Sequence, residues 1–202
     1  MLLPKDYRPK SAQAGFTLVE LVIVMVITMV MSLGFYGFFK SNLFTYLNLQ
    51  SDATNFTTLA TQSERVVQVV RGLTDITSAS ANDLQMYAYF YPTDTYVSQV
   101  HYYLNASGTQ LMADVTPMTA NPPVGTPITA SKKTYTIIDS FKQSAGVDLF
   151  TYLDLSSNPL ALPISDLKTI KQIKITLAAA AHPNTNQIIT TQVNLRNRKT
   201  NL

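Results

Sequence analysis

The chain has 202 residues, 13% of them charged, a formal net charge of +3 and no cysteine. That length accommodates one soluble domain plus an appendage. The low charge and lack of a dense Lys/Arg stripe argue against nucleic-acid binding, and the missing cysteines exclude thiol catalysis and Cys-based metal sites.

Residues 1–14 are polar and carry Lys5, Arg8 and Lys10 against Asp6. No residue from Leu21 to Phe39 is charged, and Lys40 closes the run. A helix from Phe16 to Phe39 is about 36 Å long, enough to cross a hydrocarbon core of about 30 Å with some tilt. The basic leader predicts a cytoplasmic N-terminus with the remainder exported. A secretory signal would have a shorter apolar core and small residues on its far side, so a retained single-pass anchor is the expected form.

Glu20 contradicts a passive anchor. A carboxylate near the middle of a membrane helix costs about 2.5 to 3.5 kcal/mol on insertion scales, less near the interface. No basic residue lies within a helical turn of it. A newly made α-amino group nearby would supply the missing cation.

Gly15-Phe16-Thr17-Leu18-Val19-Glu20 resembles the prepilin peptidase site of type IV pilins, pseudopilins and competence pseudopilins. The resemblance implies cleavage between Gly15 and Phe16, N-methylation of Phe16, and an assembly role for Glu20. It also implies prepilin peptidase, other pilin or pseudopilin subunits, an inner-membrane assembly platform and the lipid bilayer as partners. No cofactor, metal, catalytic residue or nucleic acid is expected. Many major pilins carry a proline within this helix; this chain has Gly34 and Gly37 instead. These either permit close helix packing in lipid or let the helix melt locally in a filament.

Lys40 to Arg71 contains neither Pro nor Gly, and Leu43, Leu47, Phe56, Leu59, Val66, Val67 and Val70 form one face, with Ser63 in the gap. The spacing predicts a helix over 17–71, with a kink plausible in the Thr/Asn-rich stretch 51–58 and Gly72 as its cap. Beyond it the period changes to two. Strands are predicted at 84–91, 96–104, 109–115, 135–141 and 149–155, the fourth as a possible edge. Residues 105–108 form a turn, 116–131 a loop, and 165–169 a turn of helix. A terminal hairpin is predicted from 170–181 and 187–196. The expected fold is α+β: a long N-terminal helix, membrane-spanning in its first half, packed on a C-terminal antiparallel sheet. The expected parts are a leader (1–15), a transmembrane and assembly helix (16–39), an amphipathic second half (40–72) and a sheet domain (73–202).

This order resembles the larger minor pilins and pseudopilins, with Tyr102-Tyr103-Leu104 before the Gly108 turn and the closing Val193-Asn194-Leu195-Arg196-Asn197. The resemblance implies a minor pilin held in the cytoplasmic membrane and then in an extracellular or periplasmic filament. A pseudopilin of a type II secretion system and a signal-anchored surface binding protein are the alternatives.

Other constellations are weaker. His101 and His182 have no Asp/Glu partner set by spacing. Asp148, Asp154, Ser156, Ser157 and Asn158 offer oxygen ligands, but turn chemistry explains Asp154 to Asn158 better than calcium. The tyrosines at 87, 89, 91, 96, 102 and 103 read as sheet cover, with an exposed aromatic face as the alternative. Arg196, Arg198 and Lys199 read as a solvated tail.

Overall fold

A computed structural model of the chain describes residues 15, 17–143, 146–182 and 185–196. The chain divides into two units, Met1–Leu47 and Asn48–Leu202. Helix α1 is Leu18–Arg71. No break interrupts it at 51–58, where the side chains work with the helix. The hydroxyls of Thr54, Thr57 and Thr61 donate to the carbonyls of Gln50, Ala53 and Thr57, each at 2.9 Å. Such back-bonding satisfies the polar group without disturbing the ladder.

Between Leu18 and Leu47 every side chain of α1 is exposed. Among the described residues α1 is the one helix long and apolar enough to cross a membrane. Several polar side chains in this stretch return to the helix itself: Thr28 Oγ1 lies 2.9 Å from both the Val24 and Met25 carbonyls, and Asn42 Nδ2 donates to the Phe38 carbonyl. Lipid offers no such partners, so the internal bonds make these residues tolerable there.

In the second unit the buried face of α1 comprises Leu59, Ser63, Val66, Val67, Val69 and Val70. The apolar stripe read from sequence starts earlier, but Leu43, Leu47 and Phe56 are all exposed. Its burial against the sheet domain starts at Leu59. Gly72 follows the helix and its N–H reaches the Gln68 and Val69 carbonyls at 3.2 Å. It does not adopt the left-handed backbone of a glycine cap.

Among the described residues eight strands follow: β1 Asp75–Ala79, β2 Asp83–Ala88, β3 Ser98–Leu104, β4 Leu111–Pro117, β5 Lys133–Ile138, β6 Phe150–Leu153, β7 Gln172–Ala181 and β8 Thr185–Asn194. They divide into two antiparallel sheets, a β1-β2-β3-β4-β5 meander and a β6-β7-β8 sheet. β2 shows the alternation expected of a half-buried strand: Leu84, Met86 and Ala88 are buried while Asp83, Gln85 and Tyr87 are not. Gly108 takes a positive φ of 67° in the β3–β4 turn, which a residue with a Cβ adopts only under strain. One-turn 3₁₀ helices occupy Thr129–Ser131 and Leu167–Thr169, and the second is capped by Asp166, which accepts from the Lys168 N–H at 2.9 Å.

One core joins α1 residues to both sheets: Leu59, Val66 and Val70 from the helix, Leu84, Val100 and Leu111 from the meander, and Phe150, Ile173, Ile175 and Leu177 from the second sheet. At its margin Arg65 lies over the Phe90 ring at 4.8 Å and the Tyr91 ring at 5.5 Å, and Phe90 stacks on Tyr135 at 5.3 Å. At the other end of the packed helix, Asp52 accepts from the His182 N–H at 3.1 Å, and Asn55 donates to the Ala180 carbonyl.

Candidate processing and assembly site

Thr17 starts α1. Its hydroxyl accepts from the Glu20 N–H at 3.2 Å, and its carbonyl receives the first helical bond from Leu21 at 3.1 Å. Thr17 is therefore the N-cap and Glu20 the third helical residue, the positions of a capping box. Thr17-Leu18-Val19-Glu20 carries that signature openly, so the capping role of Thr17 is legible from sequence alone. Its hydroxyl fixes where the helix begins.

Gly15 precedes the helix, exposed, and a Cβ built on it would touch nothing within 4 Å. Phe16, expected to be both the new terminus and the methylated residue, lies outside the described residues, as does the leader up to residue 14. Glu20 is exposed in the first turn of α1 and forms no ion pair among the described residues. The next cation along the helix, Lys40, is about 30 Å away by helical rise. It reaches the Phe44 ring instead.

The remaining candidates are accounted for locally. His101 does have an acidic partner: its Nε2 lies 2.5 Å from Asp83 Oδ2, and its ring stacks on Tyr103 at 4.8 Å. The pairing crosses strands and was invisible to spacing. Tyr103 and Thr134 donate to Asp114 Oδ1, and Lys132 Nζ sits 2.7 Å from Asp114 Oδ2. Burial pushes the Asp114 carboxyl up, but the hydrogen bonds from Lys132, Thr134 and Tyr103 and the Lys132 charge outweigh it and hold the group below its ordinary range. These bonds tie neighbouring strands together across the meander. His182 pairs with Asp52 through its backbone and ring.

Asp154 spends its carboxylate on its own turn, accepting from the Ser156 and Asn158 N–H groups at 2.8 Å and from Asn158 Nδ2 at 3.1 Å. Those bonds hold its carboxyl below the ordinary range. Among the described residues no three His, Cys, Asp or Glu side chains gather to hold a metal. Of the tyrosines, Tyr102 is core, whereas Tyr89, Tyr91 and Tyr96 stay exposed. Arg196 is exposed, and Arg198 and Lys199 lie outside the described residues.

Residues 10–36 match the model of the prokaryotic N-terminal methylation motif. The chain is thus type IV pilin-like: it carries that motif at the start of a long apolar helix, and the helix's second half packs on antiparallel sheets. No curated protein matches the chain.

Proposed function

We propose that this chain is a structural and assembly subunit, a minor pilin, of a type IV pilus-like filament. Prepilin peptidase cuts between Gly15 and Phe16, Phe16 is N-methylated, and the helix is kept. The subunit waits in the cytoplasmic membrane, single-pass, with its C-terminal domain outside. The observation that carries this reading is a run of wholly exposed, mostly apolar helix that begins within the methylation motif and whose one charge before Lys40 is Glu20, a carboxylate with no ion-pair partner among the described residues. Lipid solvates that surface in the membrane; neighbouring helices replace the lipid in a filament. The new amine, its own or a neighbour's, neutralises Glu20 and sets axial register.

Mass spectrometry of the mature N-terminus tests the processing. N-methyl-Phe16 is expected; an unprocessed Met1 or an end elsewhere removes the reading. Assembly is tested separately. Glu20→Val should insert in the membrane normally but be depleted from sheared filaments by about tenfold or more, the scale of losing one partly desolvated charge pair. Normal incorporation would show that Glu20 has no assembly role.

A further inference from the structure

Both sheets have two edges, and three of the four are blunted. β1 is five residues long, starts at Asp75 and is broken by a register shift between Ile76 and Ser78. β5 begins at Lys133, directly after Lys132, and its register also shifts. β6 is covered: the Phe150 N–H donates to Ala81, the Tyr152 carbonyl accepts from Leu160, and Pro159 bridges Leu153. Short length, bulges, lysines and covering loops are the usual devices against unwanted strand pairing.

Among the described residues β8 has none of them. It runs ten residues, Thr185–Asn194, with no charge, proline or register shift, and among the described residues only β7 pairs with it. The Leu195 N–H bond to the Lys171 carbonyl fixes the phase of the ladder. Odd-numbered β8 residues bond to β7, so Ile188, Thr190, Gln192 and Asn194 direct their N–H and C=O groups outward. None of these eight groups has a partner within the described chain. Ile188 adds an apolar side chain that is 49% exposed.

We propose that the β8 edge pairs antiparallel with β8 of a second copy of this chain, in a two-fold contact centred on Ile189. Pairing about Ile189 sets Ile188 against Thr190, and outward-bonding residues against outward-bonding residues. An uncharged strand places no like charges opposite one another. The same register sets Arg196 beyond one end of the ladder opposite His182 of the other copy, where Asp52 is held by the His182 N–H. That acid–base match occurs twice by symmetry. Such an isologous contact closes and does not propagate, so it describes a pair of copies in the membrane, separate from polymer growth. The inference stands whether or not the chain enters a filament.

The native chain has no cysteine, so disulfide mapping is clean. The full chain carrying Ile189→Cys, oxidised in its own membranes, should form a disulfide-linked dimer at least about tenfold above Thr136→Cys on the β5 edge, because only close, opposed Cβ atoms can be bridged. Adding Gln192→Pro removes one outward N–H and no backbone bond to β7, though it also removes the Gln192 side-chain bond to Gln172, and should cut the dimer at least about fivefold. If Ile189→Cys misfolds, co-expressed Ile188→Cys and Thr190→Cys copies should cross-link to each other. Yields at β8 no higher than at Thr136, or a dimer indifferent to Gln192→Pro, would overturn the proposal.

Discussion

Two tyrosines in the core show how much a single hydroxyl depends on its partner. Tyr102 and Tyr152 are both buried. Tyr152 OH donates to the Ser80 carbonyl at 2.9 Å and lies 3.3 Å from that of Asp83. Tyr102 OH has no partner among the described residues. An unsatisfied buried hydroxyl costs about 1–3 kcal/mol, whereas a made bond contributes about 1 kcal/mol. Tyr152→Phe should therefore lower stability by about 1 kcal/mol, and Tyr102→Phe should leave it unchanged or raise it, as measured by urea unfolding. Burial raises the pKa of both phenols above the ordinary 10.0. A phenol with a raised folded pKa loses stability as pH climbs past its unfolded value, because only the unfolded chain ionises readily. Tyr102→Phe should accordingly flatten part of the decline above pH 10.

Asp114 has the opposite sign. Its folded pKa lies below 3.8, so its contribution is complete above that value and lost as pH falls through the folded pKa. Asp114→Asn should reduce stability at neutral pH and shrink the acid-induced loss below about pH 4, in unfolding curves taken from pH 7 to pH 2. Lys132, whose pKa that carboxylate raises, gives the alkaline counterpart above its ordinary 10.5.

The elements differ in how far the sequence disclosed them. Helix α1 was legible because it is long, free of Pro and Gly after Lys40, and framed by a local motif. Its buried stripe was only half legible: Leu43, Leu47 and Phe56 continue the spacing but are exposed. Hydrophobic spacing reports that a face is apolar, not what covers it. β1 was missed because Asp75-Ile76-Thr77-Ser78-Ala79 buries Ile76 alone and offers little alternation. Stretch 84–91 was read too long, since Tyr91 and Asp94 form a turn in which the Asp94 carboxylate accepts from the Tyr91 N–H at 3.0 Å.

Gly34 and Gly37 invite a test at this scale. A Cβ at either would meet nothing within 4 Å in the chain itself. Alanine at both should stiffen the helix by up to about 1 kcal/mol per site, seen as slower amide exchange around residues 34–41. If the glycines serve close packing or local melting in the polymer, the same double variant should enter filaments poorly despite its firmer helix.

For the whole molecule, the α+β class followed from the switch of period near Gly72, but the division into two sheets did not. Alternation tells a strand which face is buried and says nothing of its neighbour. β6 joins β7 rather than β5 through contacts such as Phe150 with Ile175, and only tertiary packing selects those. The acidic partners of His101 and His182 are hidden for the same reason. The proposed processing site is contiguous, so Gly15, Phe16 and Glu20 can be read without the fold, and residues 10–36 match the methylation motif. Leu59 marks where α1 enters the shared core, so Leu59→Ala should cost about 2–5 kcal/mol in urea unfolding, while Leu43→Ala should cost the folded domain almost nothing.

The Thr17 cap has one more effect. Because α1 begins at Leu18, a cut before Phe16 leaves a cationic amine beside the helix's positive dipole end, where a cation is disfavoured by about 0.3–1 kcal/mol. Glu20, in that same first turn, is placed where the macrodipole welcomes an anion. The proposed maturation would therefore strain the helix start electrostatically, and the Glu20 carboxylate would relieve it.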